Sequence, residues 1–368
     1  MENWFTINNP ETVISPGLLI YPNRVASNID RMIAIAGDVN RLRPHVKTHK
    51  LPELIAVQVG KGIKKFKCAT IAEAEMVAGQ GGEDILLAYQ PVGPSIQRLI
   101  TLIKTFPKVR FSVIIDHPRV VQILSDTATD ASINLNLYVD IDDGMHRTGV
   151  ASVDDAIQLI QSIVHSQSLS YAGLHVYDGH LHDSDPVIRE AKCLQAFEFV
   201  GQLTEALKNL SINTPNIIAG GTPTFPIHAK FPERELSPGT TILWDMGYSS
   251  SFQDLNFLHA AILLSRIVSN PQKNVFCLDL GTKSMASEMA HPRVHLQNIG
   301  EYQIQSQSEE HLVIRVEDSQ PLQINDIVYG IPTHICPTVA LYDVANVVDN
   351  HVVIDQWEIL ARRRKLNI

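Results

Sequence analysis

The chain has 368 residues, is 45% hydrophobic and carries a formal net charge of −9, as expected of a globular protein with room for one large core and a second domain. That acidic balance argues against nucleic acid or an anionic membrane surface as a main partner, because both select clustered Lys and Arg. The closing ARRRK (361–365) is too short to reverse it.

The opening MENWFTINNPETVISPG lacks the basic-then-apolar pattern of a secretory signal, and no apolar run reaches bilayer length. A cytoplasmic protein is therefore expected. Four cysteines, Cys68, Cys193, Cys277 and Cys336, stand far apart with no CxxC pair, which does not suggest a disulfide framework.

Short apolar runs then recur: LLIY (18–21), RPHVKT (43–48), FKCA (66–69), ILLAY (85–89), FSVIID (111–116), LNLYVD (135–140), AGLHVY (172–177) and NIIAG (216–220). Each precedes a helix-like segment, such as IAEAEMVAGQ, where Thr70 and Glu73 are spaced as a capping box, or DDAIQLIQSIVHS. Alternating strand and helix predicts parallel strands with helical crossovers. Eight such units predict an α/β fold, a (β/α)8 TIM-type barrel over residues 14–250. A doubly wound open sheet is the alternative, but its early GxGxxG turn is missing. Past residue 250, AAILLSRIVS, NVFCLDLG, HLVIRVED and DIVYGIPTH read as strands separated by turns. They predict a second, mainly antiparallel β domain over 251–368, joined by residues 1–13.

Catalytic groups of such a barrel sit at the carboxyl ends of its strands. Read as a strand, RLRPHVKTHK (41–50) puts His45, Lys47 and His49 on one face, and an inward lysine there can serve as an amine nucleophile. In NIIAGGTPTF, Gly220 and Gly221 follow the eighth run, where backbone N–H groups can approach an anion, and Thr222 adds a hydroxyl; a plain turn fits the same letters. A phosphate clamp and a nucleophilic lysine in one barrel suggest pyridoxal 5′-phosphate, joined to Lys47 as a Schiff base. Arg147, in DIDDGMHRTG, can face the cofactor ring and keep its pyridine nitrogen unprotonated, or form a surface ion pair with Asp142 or Asp143. In GLHVYDGHLHD (173–183), His175 and Tyr177 share a strand face, Tyr177 can hold the cofactor and His180 can move protons; a buried tyrosine and loop histidines fit as well. In IPTHICPT (331–338), His334 and Cys336 stand two apart, so an extended segment would aim both at one metal, zinc suiting the donor pair.

Together these stretches resemble the D-threonine aldolase and eukaryotic-type D-serine dehydratase family, whose barrel is alanine-racemase-like, of the fold type III class of pyridoxal-phosphate enzymes. RPHVKTHK looks like its cofactor-lysine motif, DGMHRTG its arginine loop, GLHVYDGH its tyrosine and histidine segment, GGTPTF its phosphate loop and IPTHICPT its metal motif. SPGTTILWD resembles a later strand where Gly239 and Thr240 also approach the phosphate. The resemblance implies a homodimer and a divalent metal, zinc first and manganese or magnesium next. It also implies a small D-amino acid as substrate. D-Threonine cleavage to glycine and acetaldehyde leads, followed by D-serine dehydration, 3-hydroxy-D-aspartate cleavage, then racemization or a non-catalytic cofactor carrier. Some aldolase members carry a carboxylate where this chain has Cys336, and relatives commonly place a serine at the position of Ala219.

Overall fold

In this computed structural model, which describes residues 3–317 and 321–368, the first 240 residues form strands β1 (Gly17–Ile20), β2 (Lys65–Cys68), β3 (Asp84–Leu87), β4 (Arg110–Ile115), β5 (Leu135–Ile141), β6 (Leu169–Val176), β7 (Ile217–Ala219) and β8 (Arg234–Leu236). Strands β2 to β8 lie side by side in chain order, all parallel, with helices between them. This is the expected alternation. Thr70 caps the helix Ile71–Gly79 by accepting from the Glu73 amide, while the Glu73 carboxylate takes the Ala69 amide at 2.6 Å. Side chains on the inner faces of five strands, Leu86, Ile114, Tyr138, Ala172 and Ile218, fill the barrel core.

Two of the eight predicted barrel strands behave differently. β1 (LLIY) is not a barrel stave: it pairs with strands of the second sheet, described below. The stretch 43–48 is a stave only in its first half. Residues 42–45 bridge β8 to β2, through parallel bridges Leu42 with Leu236 and His45 with Lys67, so the staves close on one another. Arg43 N–H donates to Leu236 and His45 N–H to Pro238, while the Pro44 carbonyl accepts from Lys67. Pro44 has no N–H to return, which leaves this stave irregular. Past it, Val46–Thr48 is a 3-10 turn. The alternation expected of His45, Lys47 and His49 therefore does not exist.

The stave not anticipated is β8, whose sequence Arg-Glu-Leu looks too charged for a barrel interior. Its charges are paired instead. Arg43, fully buried, bonds Glu235 and Asp84 at 2.8 Å each, and Lys65 reaches the other Glu235 oxygen at 2.5 Å.

The second sheet adds β9 (Ala261–Gln272), β10 (Val275–Leu278), β11 (Val294–Leu296), β12 (Tyr302–Gln307), β13 (Leu312–Val316), β14 (Ile327–Pro332), β15 (Val344–Asp349) and β16 (Val352–Glu358). Its main order is β12-β13-β10-β9-β1-β15-β16, with β14 also on β9 and β11 on β14. Only β1 with β15 is parallel among the described residues, so this sheet is mainly antiparallel, as expected. Phe5, Leu19, Tyr21, Ile262, Tyr329 and Ile331 share its core. The compact units accordingly follow boundaries other than 14–250 and 251–368. One comprises residues 1–31, 48–51 and 240–362, and the other 32–47, 52–239 and 363–368. No helix among the described residues is long and apolar enough to cross a membrane.

Candidate active site

The barrel unit holds a cavity of about 590 Å³ lined by His45, Lys47, Asp140, Arg147, His175 and Tyr177 among others. Ala69, Ala88 and Asp116, the residues just after β2, β3 and β4, also line it, so it opens at the carboxyl ends of the strands. Lys47 arrives there on the 3-10 turn that follows Pro44, with its backbone N–H 3.3 Å from His45 Nδ1. Tyr177 extends β6 by one residue, and three cations surround its ring. Lys47 Nζ is 5.9 Å from the ring centroid, Lys67 Nζ 5.3 Å and the Arg147 guanidinium 5.2 Å. The Asp142 carboxylate, a candidate partner for Arg147, is instead occupied by the Gly144 and His146 amides and the His146 ring.

Lys67 and Asp140 were not singled out by the sequence, although Lys65 and Lys67 alternate along KFKC and so share one face of β2. Lys67 is 3% exposed, its Nζ 3.1 Å from His175 Nε2, while His175 Nδ1 lies 2.6 Å from Asp140. Burial, then the charge of Lys47, brings the Lys67 ammonium down to about 7, against the pull of Asp140 and Asp178. His175 is lowered as well, by burial and then by Lys67.

Gly220, Gly221 and Thr222 do not line the cavity but pack beside it, a Cβ on Gly221 falling 3.0 Å from the Tyr177 ring. Their donors are in use: Gly220 N–H reaches Val176, Gly221 N–H reaches Thr224 Oγ1, and Gly239 N–H reaches Thr222 Oγ1. His180 sits against Gly144, whose φ of +126° leaves no space for a Cβ beside the His180 ring, and its Nδ1 is buried without a partner. Behind the glycine turn, Asp178, Cys193 and His228 present three ligand-type atoms within 4.8 Å of one another, a donor set of metal-binding type that the sequence spacing does not reveal.

The β unit holds His334 and Cys336. They are not on an extended segment, since Cys336 lies in the short helix Ile335–Val339 with His334 as its N-cap, yet they are hydrogen-bonded. His334 Nδ1 is 2.5 Å from Glu288 Oε1. Burial opposes the charge on His334, but Cys336 and then Glu288 raise it to about 9; burial likewise opposes the Cys336 thiolate, which His334 stabilises below the ordinary thiol range. Thr48 Oγ1 lies 3.1 Å and Thr240 Oγ1 3.5 Å from Cys336 Sγ. Thr240 thus stands beside the cysteine. His49, buried in the same unit, accepts the Leu51 amide, and burial drives its ring down to about 3. Asp245 accepts the Ile335 amide and so fixes the start of the helix carrying Cys336.

Residues 20–245 match the family model "Alanine racemase, N-terminal domain". The chain belongs to that family. Residues 260–348 match "Putative serine dehydratase domain", a span that contains His334 and Cys336. A D-threonine aldolase of Arthrobacter sp is 29% identical over 87% of this chain and 85% of its own length. A D-serine dehydratase of Schizosaccharomyces pombe is 31% identical over 62% of this chain and 57% of its own. The crystal structure of D-threonine aldolase from Filomicrobium marinum superimposes with a TM-score of 0.85 at 26% identity, covering 95% of this chain and 96% of that one.

Proposed function

We propose that this protein is a pyridoxal 5′-phosphate- and metal-dependent lyase of D-3-hydroxy amino acids, with D-threonine cleavage to glycine and acetaldehyde as its reaction. The observation that carries the reading is the cavity in which Lys47 and Arg147 stand around Tyr177 at the carboxyl ends of the strands. These residues fit the cofactor: an amine to bind its aldehyde carbon, a flat ring beside it, and an arginine facing that ring. Bound there, the cofactor withdraws electrons from the substrate's α-carbon.

Lys47 would hold the cofactor through its amine and would place that nitrogen beside the substrate's α-carbon as a base. Arg147, a permanent cation, keeps the pyridine nitrogen unprotonated. In this reading Gly220 to Thr222, with Gly239 and Thr240, would shape the phosphate's site, the Gly220, Gly221 and Gly239 amides bracing the turn rather than donating to the anion. His334 and Cys336 also fit a metal. Glu288 occupies His334 Nδ1 and leaves Nε2 for an ion, the arrangement that orients metal-binding histidines, and His334 draws the Cys336 thiol below its ordinary range against the cost of burial. A divalent ion held there, zinc before manganese or magnesium, would supply Lewis acidity to a hydroxyl group. His180 takes the hydroxyl proton in an aldolase, whereas Lys47 takes the α-proton in a dehydratase.

Dehydration of D-serine is the second reading, favoured by the match of residues 260–348 to the serine dehydratase model. Incubation with D-threonine, D-serine and 3-hydroxy-D-aspartate separates the two readings when glycine and aldehyde are assayed apart from keto acid and ammonia. Glycine with acetaldehyde from D-threonine is expected; pyruvate from D-serine alone would reassign the enzyme. His334→Ala is expected to lose the metal, read as ions per chain, and to lower turnover by about 100-fold. Sedimentation is expected to show a homodimer.

A further inference from the structure

The turn Gly220–Thr222 rests on a buried chain of four polar side chains, none of which lines the cavity. Arg234 NH1 donates to His228 Nδ1 at 2.9 Å. His228 Nε2 lies 2.8 Å from Asp178 Oδ2, and the other Asp178 oxygen accepts from Thr224 Oγ1 at 2.7 Å. Thr224 Oγ1 in turn accepts the Gly221 N–H at 3.2 Å. All four are nearly water-free: Thr224 and His228 are 0% exposed, Asp178 2% and Arg234 8%. The guanidinium of Arg234 is clamped 3.8 Å from the rings of both Phe197 and Phe231, which fixes the direction of its N–H groups.

This order has one consistent proton assignment. Arginine can only donate, so His228 Nδ1 must accept, its proton sits on Nε2, and Nε2–H must donate to Asp178. That assignment sets the metal-type appearance of Asp178, Cys193 and His228 aside. A metal on Nε2 would need the proton on Nδ1, where it would point at the Arg234 donor. The Asp178 charge also has a counter-ion within the protein. Arg234 faces the Asp178 carboxylate through the imidazole, and burial followed by Asp178 pushes the Cys193 thiol up, so it stays neutral. Asp143, raised to about 7 by burial and then by Asp178, lies near the chain, and Glu233 Oε1 stands 3.4 Å from Arg234 Nε at its outer end.

The backbone of the turn touches the same groups. Gly220 has φ +77°, and a Cβ there would fall 2.6 Å from His228 Cδ2 and 3.0 Å from Thr224 Oγ1. Turn and chain are therefore seated on each other by van der Waals contact as well as by the Gly221 hydrogen bond. Asp178 also follows Tyr177 directly, so the chain anchors both the turn and the ring beside it.

The geometry points to Arg234, His228, Asp178 and Thr224 as a positioning chain that presets the Gly220–Thr222 turn for the phosphate of the cofactor. The inference rests on the cofactor reading above and adds how the anion subsite is built. None of the four is assigned to touch substrate or cofactor. Their effect travels through the turn.

The test compares equilibrium binding of pyridoxal 5′-phosphate and of pyridoxal, which lacks the phosphate, to the cofactor-stripped full chain. In Thr224→Val, nearly isosteric, affinity for the phosphorylated compound is expected to fall about tenfold while that for pyridoxal changes less than about twofold. Thr224→Ser restores the preference, and His228→Gln reproduces the loss. A purely structural role would weaken both compounds together or neither, and either result overturns the inference. A wild type with no preference for the phosphorylated compound would overturn the cofactor reading itself. A stoichiometric metal that persists in His334→Ala and disappears in Cys193→Ser would show the cluster to be a metal site instead.

Discussion

Lys47→Ala is expected to leave a folded but colourless protein, without the cofactor's visible band and with lyase turnover down by at least about three orders of magnitude. The fold should survive. Lys47 is half-buried, its side chain faces the cavity rather than the core, and its neighbours are held by Pro44 and the turn Val46–Thr48. The informative competitor is Lys67, a second amine beside Tyr177. Burial and the charge of Lys47 bring its ammonium down to about 7, so it offers a free amine near neutral pH more readily than an ordinary lysine does. Borohydride reduction followed by peptide mapping decides between them. The label is expected on Lys47, to be lost in Lys47→Ala and to be kept in Lys67→Met. A label on Lys67 in the wild type would sink the proposed assignment.

Six barrel strands were legible in the sequence because β2 to β7 have largely buried backbones and the apolar runs that follow from that. β8 was not, since its burial depends on partners, Arg43 and Lys65, that lie more than 150 residues away. β1 misled for the opposite reason: it is apolar enough for a barrel stave, and only pairing with β9 and β15 assigns it to the other sheet. Lys47 was singled out by its motif, yet the strand alternation first used to aim it is absent; Pro44 and the turn after it set its direction. Lys67 carried little signal, as one lysine in a four-residue strand. Asp178, His228 and Arg234 carried none, because no local spacing links residues that only barrel closure brings within hydrogen-bond reach.

Arg43 is where that closure is most exposed to mutation. It is fully buried, donates from Nε to Glu235 on β8 and from NH1 to Asp84 at the start of β3, and belongs to the irregular stave that Pro44 deprives of a ladder donor. Ionised partners raise the Arg43 guanidinium further against the cost of burial, so the site is a charge network rather than a packing contact. Arg43→Ala strips Glu235 and Asp84 of this partner at once, and removing one side of a buried pair costs about 3–5 kcal/mol. Replacing both sides, as Arg43→Met with Glu235→Gln, removes the orphaned charge and is expected to recover about 1–3 kcal/mol of that loss. The three tryptophans, Trp4, Trp244 and Trp357, all lie in the other unit, so fluorescence is blind to the barrel. Amide hydrogen exchange at Lys67 and at Arg43 reads it directly, since both amides bond across the closing stave. Faster exchange at both, slowed again in the double variant, is the expected result; unchanged exchange in Arg43→Ala would mean that the stave is held by its backbone alone.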